Sequence, residues 1–347
     1  MKKGPKANVK MILVLVMVVV LAVSCSKSND SPSATVTSSD EFSKKYNAWS
    51  MGTTYATGSP VVESMQYFAD LVNEKSNGAM TINVFPDSTL GNEDDTFLSV
   101  CSGDTEFCCF GPSTIYLFTP EYSFIMAPFL TQSYEHYVNM YNSKLFDPAK
   151  KIWREKGVID LATQAYRGFR NMSSDRAVRT PEDVQGMKLR MNTNAAWVRI
   201  WNGVGCTTIP IALGELYTSL QTGVVEASEG PYEQIATYKL QEVQKYIIET
   251  QHVPEVFGFW MNGNLFDSLP ENYQRVLKEA AAEGIEYGTK LCQSVESDFL
   301  KQLTDAGCEF IKPDKEAFVE KAKPVWEEMF KDTWTGTTME EVLSYAK

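Results

Sequence analysis

Residues 181–193 read PEDVQGMKLRMNT, a turn signal followed by a short alternating strand. Thr180 stands where an N-cap is wanted, Pro181 suits the first turn, and Glu182 and Asp183 face the positive end of a helix. On the strand that follows, Met187, Leu189 and Met191 share one face while Lys188 and Arg190 share the other, because successive strand side chains alternate. Beyond it, Asn194 to Asn202 and Gly214 to Thr222 read as helices, and Val224 to Ala227 as the next strand.

The same alternation is present upstream. Tyr46 to Thr53 reads as a strand, and Val62, Met65, Phe68, Ala69 and Val72 then recur at helical spacing until Gly78. Thr81 to Phe85 is β-branched and alternating. Glu93 to Cys101 makes a helix that stops at Gly103, and Phe107-Cys108-Cys109-Phe110 is a buried strand. Strands and helices in this order predict an α/β fold with a largely parallel sheet. Downstream, Ser268 and Glu271 form a capping-box pair, and the helical pattern they open runs to about Asp305, where Gly307 closes it. About 36 residues at ~1.5 Å each give a helix of roughly 54 Å, longer than either of two medium domains needs, so it is expected to cross both.

The chain has 347 residues, with 44 Asp and Glu against 32 Lys and Arg, a formal charge of −12. That length can bury its own cores, and that charge repels nucleic acid. Lys2, Lys3, Lys6 and Lys10 precede an unbroken apolar run from Met11 to Val23, too short to span a bilayer, which is a targeting segment. It ends in Ala22-Val23-Ser24-Cys25, which resembles the bacterial lipoprotein cleavage box, although Leu21 lies four rather than three residues before the cysteine. Cys25 is then the expected lipidation site, and removing the four lysines takes the charge from −12 to −16. Residues 25–44 are a Ser-rich tether that cannot bury enough apolar surface to order itself. The six remaining cysteines lack the paired spacing of a zinc site and are expected to be buried free thiols.

Catalytic signatures are missing: there is no GxSxG, HExxH or GxxxxGK[ST], and His136 and His252 are the only imidazoles. No enzyme activity, cofactor or metal is expected. Asn92-Glu93-Asp94-Asp95 lacks the alternating ligands of a calcium loop and reads as a solvated helix start, with Glu93 a candidate pocket residue.

Four stretches in order, YRGFRN (166–171), PEDVQGMKLRMNT, PIALGELYTSLQTGVVEASEGP (210–231) and TQHV (250–253), strongly resemble the solute-binding proteins of tripartite ATP-independent periplasmic (TRAP) transporters. Pro181, Asp183, Gly186, Lys188 and Arg190 match the family's first motif, and Pro210, Glu215, Tyr217, Leu220, Gln221, Gly223, Glu229 and Pro231 its second. The resemblance spans nearly all of the mature chain. It implies a two-domain periplasmic-binding-protein-like α/β fold, with hinge crossings and a long linking helix. The expected division is a leader at 1–24, the tether, domain I at 45–167 with 255–292, and domain II at 168–254 with 293–347.

In that family the arginine at the position of Arg190 salt-bridges the ligand carboxylate. A guanidinium suits the task, since it offers two parallel donors and keeps its charge. Arg170 matches a second arginine, expected at the rim, and His252 matches a pocket-edge histidine that is equally readable as structural. Departures narrow the ligand. Gly230 replaces a ligand-contacting asparagine, Leu213 replaces an aromatic, and Gly111 and Thr114 stand where sialic-acid-binding members have charged groups, so sialic acid is not expected. Tyr55, Glu93, Thr193 and the aromatics Phe257, Phe259 and Trp260 complete the candidate site, with core packing the competing account of the aromatics. Glu93 or Glu229 could pair a ligand ammonium. The implied role is a lipid-anchored, monomeric receptor on the extracytoplasmic face that takes a small organic anion, carboxylate or sulfonate, to membrane permease subunits. An exported sensor of the same fold, or an exported enzyme acting on a small acid, are the alternatives.

Overall fold

The computed structural model describes residues 42–347, apart from the side chains at 113 and 114. The leader, Cys25 and most of the tether lie outside the described residues. Among the described residues no helix is long and apolar enough to cross a membrane.

The first half holds β1 (Tyr46–Gly52), α1 (Pro60–Lys75), β2 (Met80–Phe85), α2 (Glu93–Ser102), β3 (Phe107–Phe110), α3 (Tyr134–Tyr141) and α4 (Asp147–Glu155). The long strand β4 (Val158–Ser174) leads to β5 (Lys188–Met191), α5 (Ala195–Val204), β6 (Thr207–Pro210), α6 (Leu216–Gln221), β7 (Ala227–Gly230) and α7 (Tyr232–Thr237). A second long strand, β8 (Tyr246–Asn262), is followed by α8 (Gly263–Ser268), α9 (Glu271–Asp305), β9 (Glu309–Ile311), α10 (Lys315–Asp332) and α11 (Met339–Ser344).

Among the described residues nine strands join one sheet, in the order β2-β1-β3-β8-β4-β7-β5-β6 with β9 on β8. The wings are parallel, β1 with β2 and β3, and β5 with β6 and β7. The centre corrects the expectation of a largely parallel sheet, because β4 pairs antiparallel with β7 and β8, and β8 antiparallel with β3. Each long strand has 17 residues and belongs to both wings, and the two run in opposite directions. Their shared ladder slips at four places between Asp160 and Met172, where Gly168 adopts φ +101°. Such irregularities bend strands, and they fall where the chain passes between the wings.

The long helix is present as α9, 35 residues and so about 52 Å. It packs against α1, β4 and α7, which come from both wings. Its start differs from expectation: Pro270 precedes it, and Ser268 ends α8 with its hydroxyl donating to the Leu265 carbonyl at 2.7 Å, so no capping box forms. The predicted helix at Pro181 is one 3₁₀ turn, held by Asp183, whose carboxylate accepts from the N–H groups of Arg179 and Thr180 at 2.7 and 3.0 Å. The strand expected at Val224 begins at Ala227, because the N–H groups of Val224 and Val225 are used on the Ser219 carbonyl to close α6.

Phe68, Phe107, Phe257, Phe259 and Leu277 form one core beneath α1 and α9. Two glycines of α9 allow its close approach. A Cβ at Gly284 would lie 2.8 Å from Phe259 and one at Gly288 2.7 Å from Phe257. Trp153, Trp260, Trp197, Trp201 and Trp334 belong to a second core. The six cysteines among the described residues are free thiols, buried except for half-buried Cys101. Burial pushes the Cys108 and Cys109 thiols well above their ordinary range, so both behave as small apolar groups.

Candidate functional site

β5 inserts Leu189 and Met191 fully into the core and leaves Lys188 exposed at its start. Arg190 points to the other face, yet it is only 4% exposed. There it borders a cavity of about 240 Å³. Asn192 and Thr193 continue the same wall, and Pro210 at the end of β6 with Ile211 to Leu213 after it forms its apolar side. The Arg190 Nε donates to the Ile211 carbonyl at 2.8 Å, which orients the guanidinium. Among the described residues Arg190 has no ion-pair partner. Burial therefore dominates its titration and lowers it to about 10, against weaker support from Glu229 and Glu93 and further opposition from Arg170.

The opposite wall comes from the first half of the chain. Asn92 to Asp95 at the start of α2, Thr54 after β1, and Tyr116 line it. The two walls touch. Thr193 donates to Asp94 Oδ2 at 2.8 Å, Tyr116 donates to Asp94 Oδ1 at 3.0 Å, and the Tyr116 and Thr193 hydroxyls are in contact with each other. Burial, with Glu93 and Asp94 nearby, keeps the Tyr116 phenol protonated and so a donor. A further bridge joins the Tyr238 hydroxyl to the Thr54 carbonyl. The Thr54 hydroxyl itself is buried and has no hydrogen-bond partner among the described residues.

The other two buried arginines are held differently. Arg170, expected at the rim, is buried in the β4–β7–β8 centre, because it is consumed by two carboxylates. Its Nε and Nη2 donate to the Glu229 carboxylate, Nη2 also to the Glu229 carbonyl at 3.0 Å, and Nη1 to Glu255 at 2.7 Å. Burial alone would lower the Arg170 guanidinium, but Glu229 and Glu255 raise it instead. His252 extends this lattice, with Nε2 3.1 Å from Glu229 and Nδ1 2.9 Å from the Thr250 hydroxyl. Burial lowers the His252 pKa despite Glu229, which keeps the ring neutral. Arg167 donates to Glu233 at 2.9 Å and lies 4.0 Å over the Tyr55 ring.

Of the residues singled out in the sequence, Arg190, Glu93 and Thr193 meet at the cavity. Tyr55 lies behind it under Arg167, and Arg170, Glu229 and His252 form the buried lattice beside it. Phe257 does not reach the cavity, because it packs on Gly288 of α9, and Phe259 likewise packs on Gly284. Gly230 lies elsewhere too. A Cβ there would stand 2.4 Å from the Gln234 amide, which donates to the Glu229 carbonyl at 3.2 Å and fills the space a larger side chain would take. Tyr116, Asp94, Thr54, Tyr238 and Glu255 were not singled out. Tyr116 sits in a short 3₁₀ helix (Pro112–Leu117) between two prolines, where no α or β periodicity marks it, and only the i, i+3 arginines of YRGFRN hinted at the lattice.

A model of the family described as bacterial extracellular solute-binding protein, family 7, matches residues 51–333. The chain is 30% identical over 253 residues to the 2,3-diketo-L-gulonate-binding periplasmic protein YiaO of Escherichia coli, covering 72% of this chain and 77% of that one. It is 25% identical over 283 residues to the C4-dicarboxylate-binding periplasmic protein DctP of Rhodobacter capsulatus, covering 79% and 84% respectively. Among solved structures, the sugar acid binding protein DctPAm of Advenella mimigardefordensis, in complex with galactonate, superposes with a TM-score of 0.82 at 27% identity, over 87% of this chain and 98% of that one.

Proposed function

We propose that this chain, which belongs to family 7 of the bacterial extracellular solute-binding proteins, captures a small organic anion on Arg190 and hands it to membrane permease subunits. The observation that carries the reading is the charge balance of the buried arginines. Arg167 and Arg170 have carboxylate partners within the protein, whereas Arg190 has none among the described residues and borders a cavity. A desolvated guanidinium in that state gains most from an oxyanion brought in by a ligand, and its planar fork favours a carboxylate. Galactonate and 2,3-diketo-L-gulonate, the ligands named for two similar proteins, both carry one.

In this reading the protein binds and releases without chemistry on its ligand. The cavity lies between walls contributed by 45–167 with 255–292 and by 168–254 with 293–347, and these two lobes close on the ligand about the bends of β4 and β8. Cys25 anchors the mature protein by lipid, so that Cys25→Ala releases it to the soluble fraction.

A thermal-shift screen of the mature protein over mono- and dicarboxylates, sugar acids, amino-acid derivatives and small sulfonates tests the function, since a ligand that binds only the native state raises its stability. A stabilising acid whose effect disappears in Arg190→Ala is the expected result. A screen in which no anion stabilises the protein, or one in which Arg190→Ala responds as wild type does, overturns it.

A further inference from the structure

Resting on the reading of Arg190 as carboxylate anchor, we propose that the cavity selects monocarboxylates carrying hydrogen-bond donors at their far end and rejects dicarboxylates, with Glu93 and Asp94 as the discriminating groups. Among the described residues that line the cavity Arg190 is the one basic side chain. The wall facing it carries three acids, Glu93, Asp94 and Asp95. A ligand whose carboxylate sits on Arg190 therefore extends toward carboxylates. A second anionic group there meets like charges, and among the described lining residues Arg190, already engaged, is the one cation, so like-charge juxtaposition in a closed site is a strong means of rejection.

Hydroxyl or ammonium groups fit the same wall, because ionised carboxylates only accept hydrogen bonds. Asp94 already accepts from Tyr116 and Thr193, one hydroxyl on each oxygen. This shows the wall receiving hydroxyl donors, and each oxygen retains a further lone pair. The buried Thr54 hydroxyl, 2% exposed and without a partner among the described residues, adds a group that can both donate and accept. Kinship alone does not decide the matter, since the similar proteins include one named for C4-dicarboxylates.

The test is calorimetry on the mature protein with skeleton-matched pairs: four- to six-carbon hydroxy monoacids, the diacids made by oxidising their far end, and the amino analogues of the monoacids. At least one monoacid is expected to bind tenfold or more tighter than its diacid, about 1.4 kcal/mol. Glu93→Gln, with Asp94→Asn as a second variant, is expected to narrow that ratio at least threefold, while Arg190→Ala weakens every member at least tens-fold. Hydroxyl and amino analogues compared directly show which donor the wall prefers. A ratio below tenfold, or a ratio unchanged in both wall variants, overturns the selectivity while leaving the Arg190 reading intact. If no member of any pair binds, the carboxylate reading falls and the selectivity with it.

Discussion

Arg190 and Arg170 are almost equally buried, at 4% and 6% exposure, and they stand in opposite electrostatic situations. Arg170 has two carboxylates and a backbone carbonyl around it, and its charge is stabilised beyond that of a free guanidinium. Arg190 has one backbone carbonyl and a cavity, and burial lowers its pKa to about 10. Burial by itself does not separate a structural cation from a binding cation. What separates them is whether the protein supplies the counter-charge, since a desolvated charge without a partner is unfavourable for folding alone.

The largest effect that tests this contrast is on stability. Arg170→Ala leaves Glu229 and Glu255 buried without their cation, and breaking a buried pair in this way generally costs about 3 to 5 kcal/mol. Denaturant unfolding is expected to show that loss, with any weakening of ligand binding following from it. If Arg170→Ala is as stable as wild type and has lost only binding, the contrast is broken.

Arg190 is expected to behave in reverse. Arg190→Ala should cost about 2 to 5 kcal/mol of binding, at least tens-fold in affinity, because the ligand oxyanion is left without its partner. Its unfolding free energy should fall by no more than about 1 kcal/mol, since no internal ion pair is lost. Arg190→Lys should be nearly as damaging to affinity, because an ammonium is a point donor that cannot reproduce a two-bond grip. Calorimetry of these two variants that gives affinities within threefold of wild type would show that the anchor lies elsewhere.

The paired lattice also has a pH signature. Burial alone would raise the Glu229 carboxyl, but Arg170 and His252 hold it down to about 2 from an ordinary 4.5. A depressed carboxyl contributes stability that is complete above its unfolded pKa and is lost as pH falls through the folded one, here about 3 kcal/mol between pH 4.5 and 2. His252 acts in the same direction at higher pH. Its folded pKa is lowered, so the unfolded chain takes up a proton first, and stability begins to decline as pH falls below the ordinary 6.5. Unfolding free energies measured from pH 7.5 downward are expected to show both declines, with the lower one smaller in Glu229→Gln. A flat profile would mean that the lattice does not hold these groups as described.

Much of this contrast was legible in the sequence, and the part that was not has a definite cause. Alternation placed Arg190 opposite Leu189 and Met191, and periodicity found α9 to within a residue or two, because both are local properties of the chain. Arg170 was assigned to the rim because its partners come from elsewhere: Glu229 lies 59 residues away and Glu255 85 residues away. The antiparallel centre escaped for a related reason. Each wing reads as an ordinary βαβ alternation, while pairing of β4 with β8 joins distant segments whose approach no local pattern announces. Phe257 and Phe259 read as core with a site role left open, and the glycines that receive them, Gly288 and Gly284, are on another element altogether.

The smallest expected effect concerns how the two walls meet. Thr193 reaches across to Asp94 on the opposite wall, while Tyr116 donates to Asp94 from Asp94's own wall and touches the Thr193 hydroxyl, so both hydroxyls hold the clasp that stabilises the closed cavity whatever the ligand. Each is partly accessible to water, so deleting one should cost about 0.5 to 1.5 kcal/mol, a loss of roughly twofold to tenfold in affinity through a less populated closed form. Tyr116→Phe and Thr193→Val should therefore weaken every ligand by a similar factor, whereas Arg190→Ala removes the charge-dependent part of binding. Because the two hydroxyls also touch each other, the double variant should lose less than the two single losses combined, and a double-mutant cycle measures that coupling. Scattering on the ligand-free proteins gives an independent reading: Thr193→Val should be more extended than wild type, because its bond to Asp94 joins the walls, and Tyr116→Phe should follow to a smaller degree through the lost contact with Thr193. Additive losses together with unchanged scattering would show that the two hydroxyls do not act together as a clasp, and would leave the counter-charge brought to Arg190 as the principal force that draws the walls together.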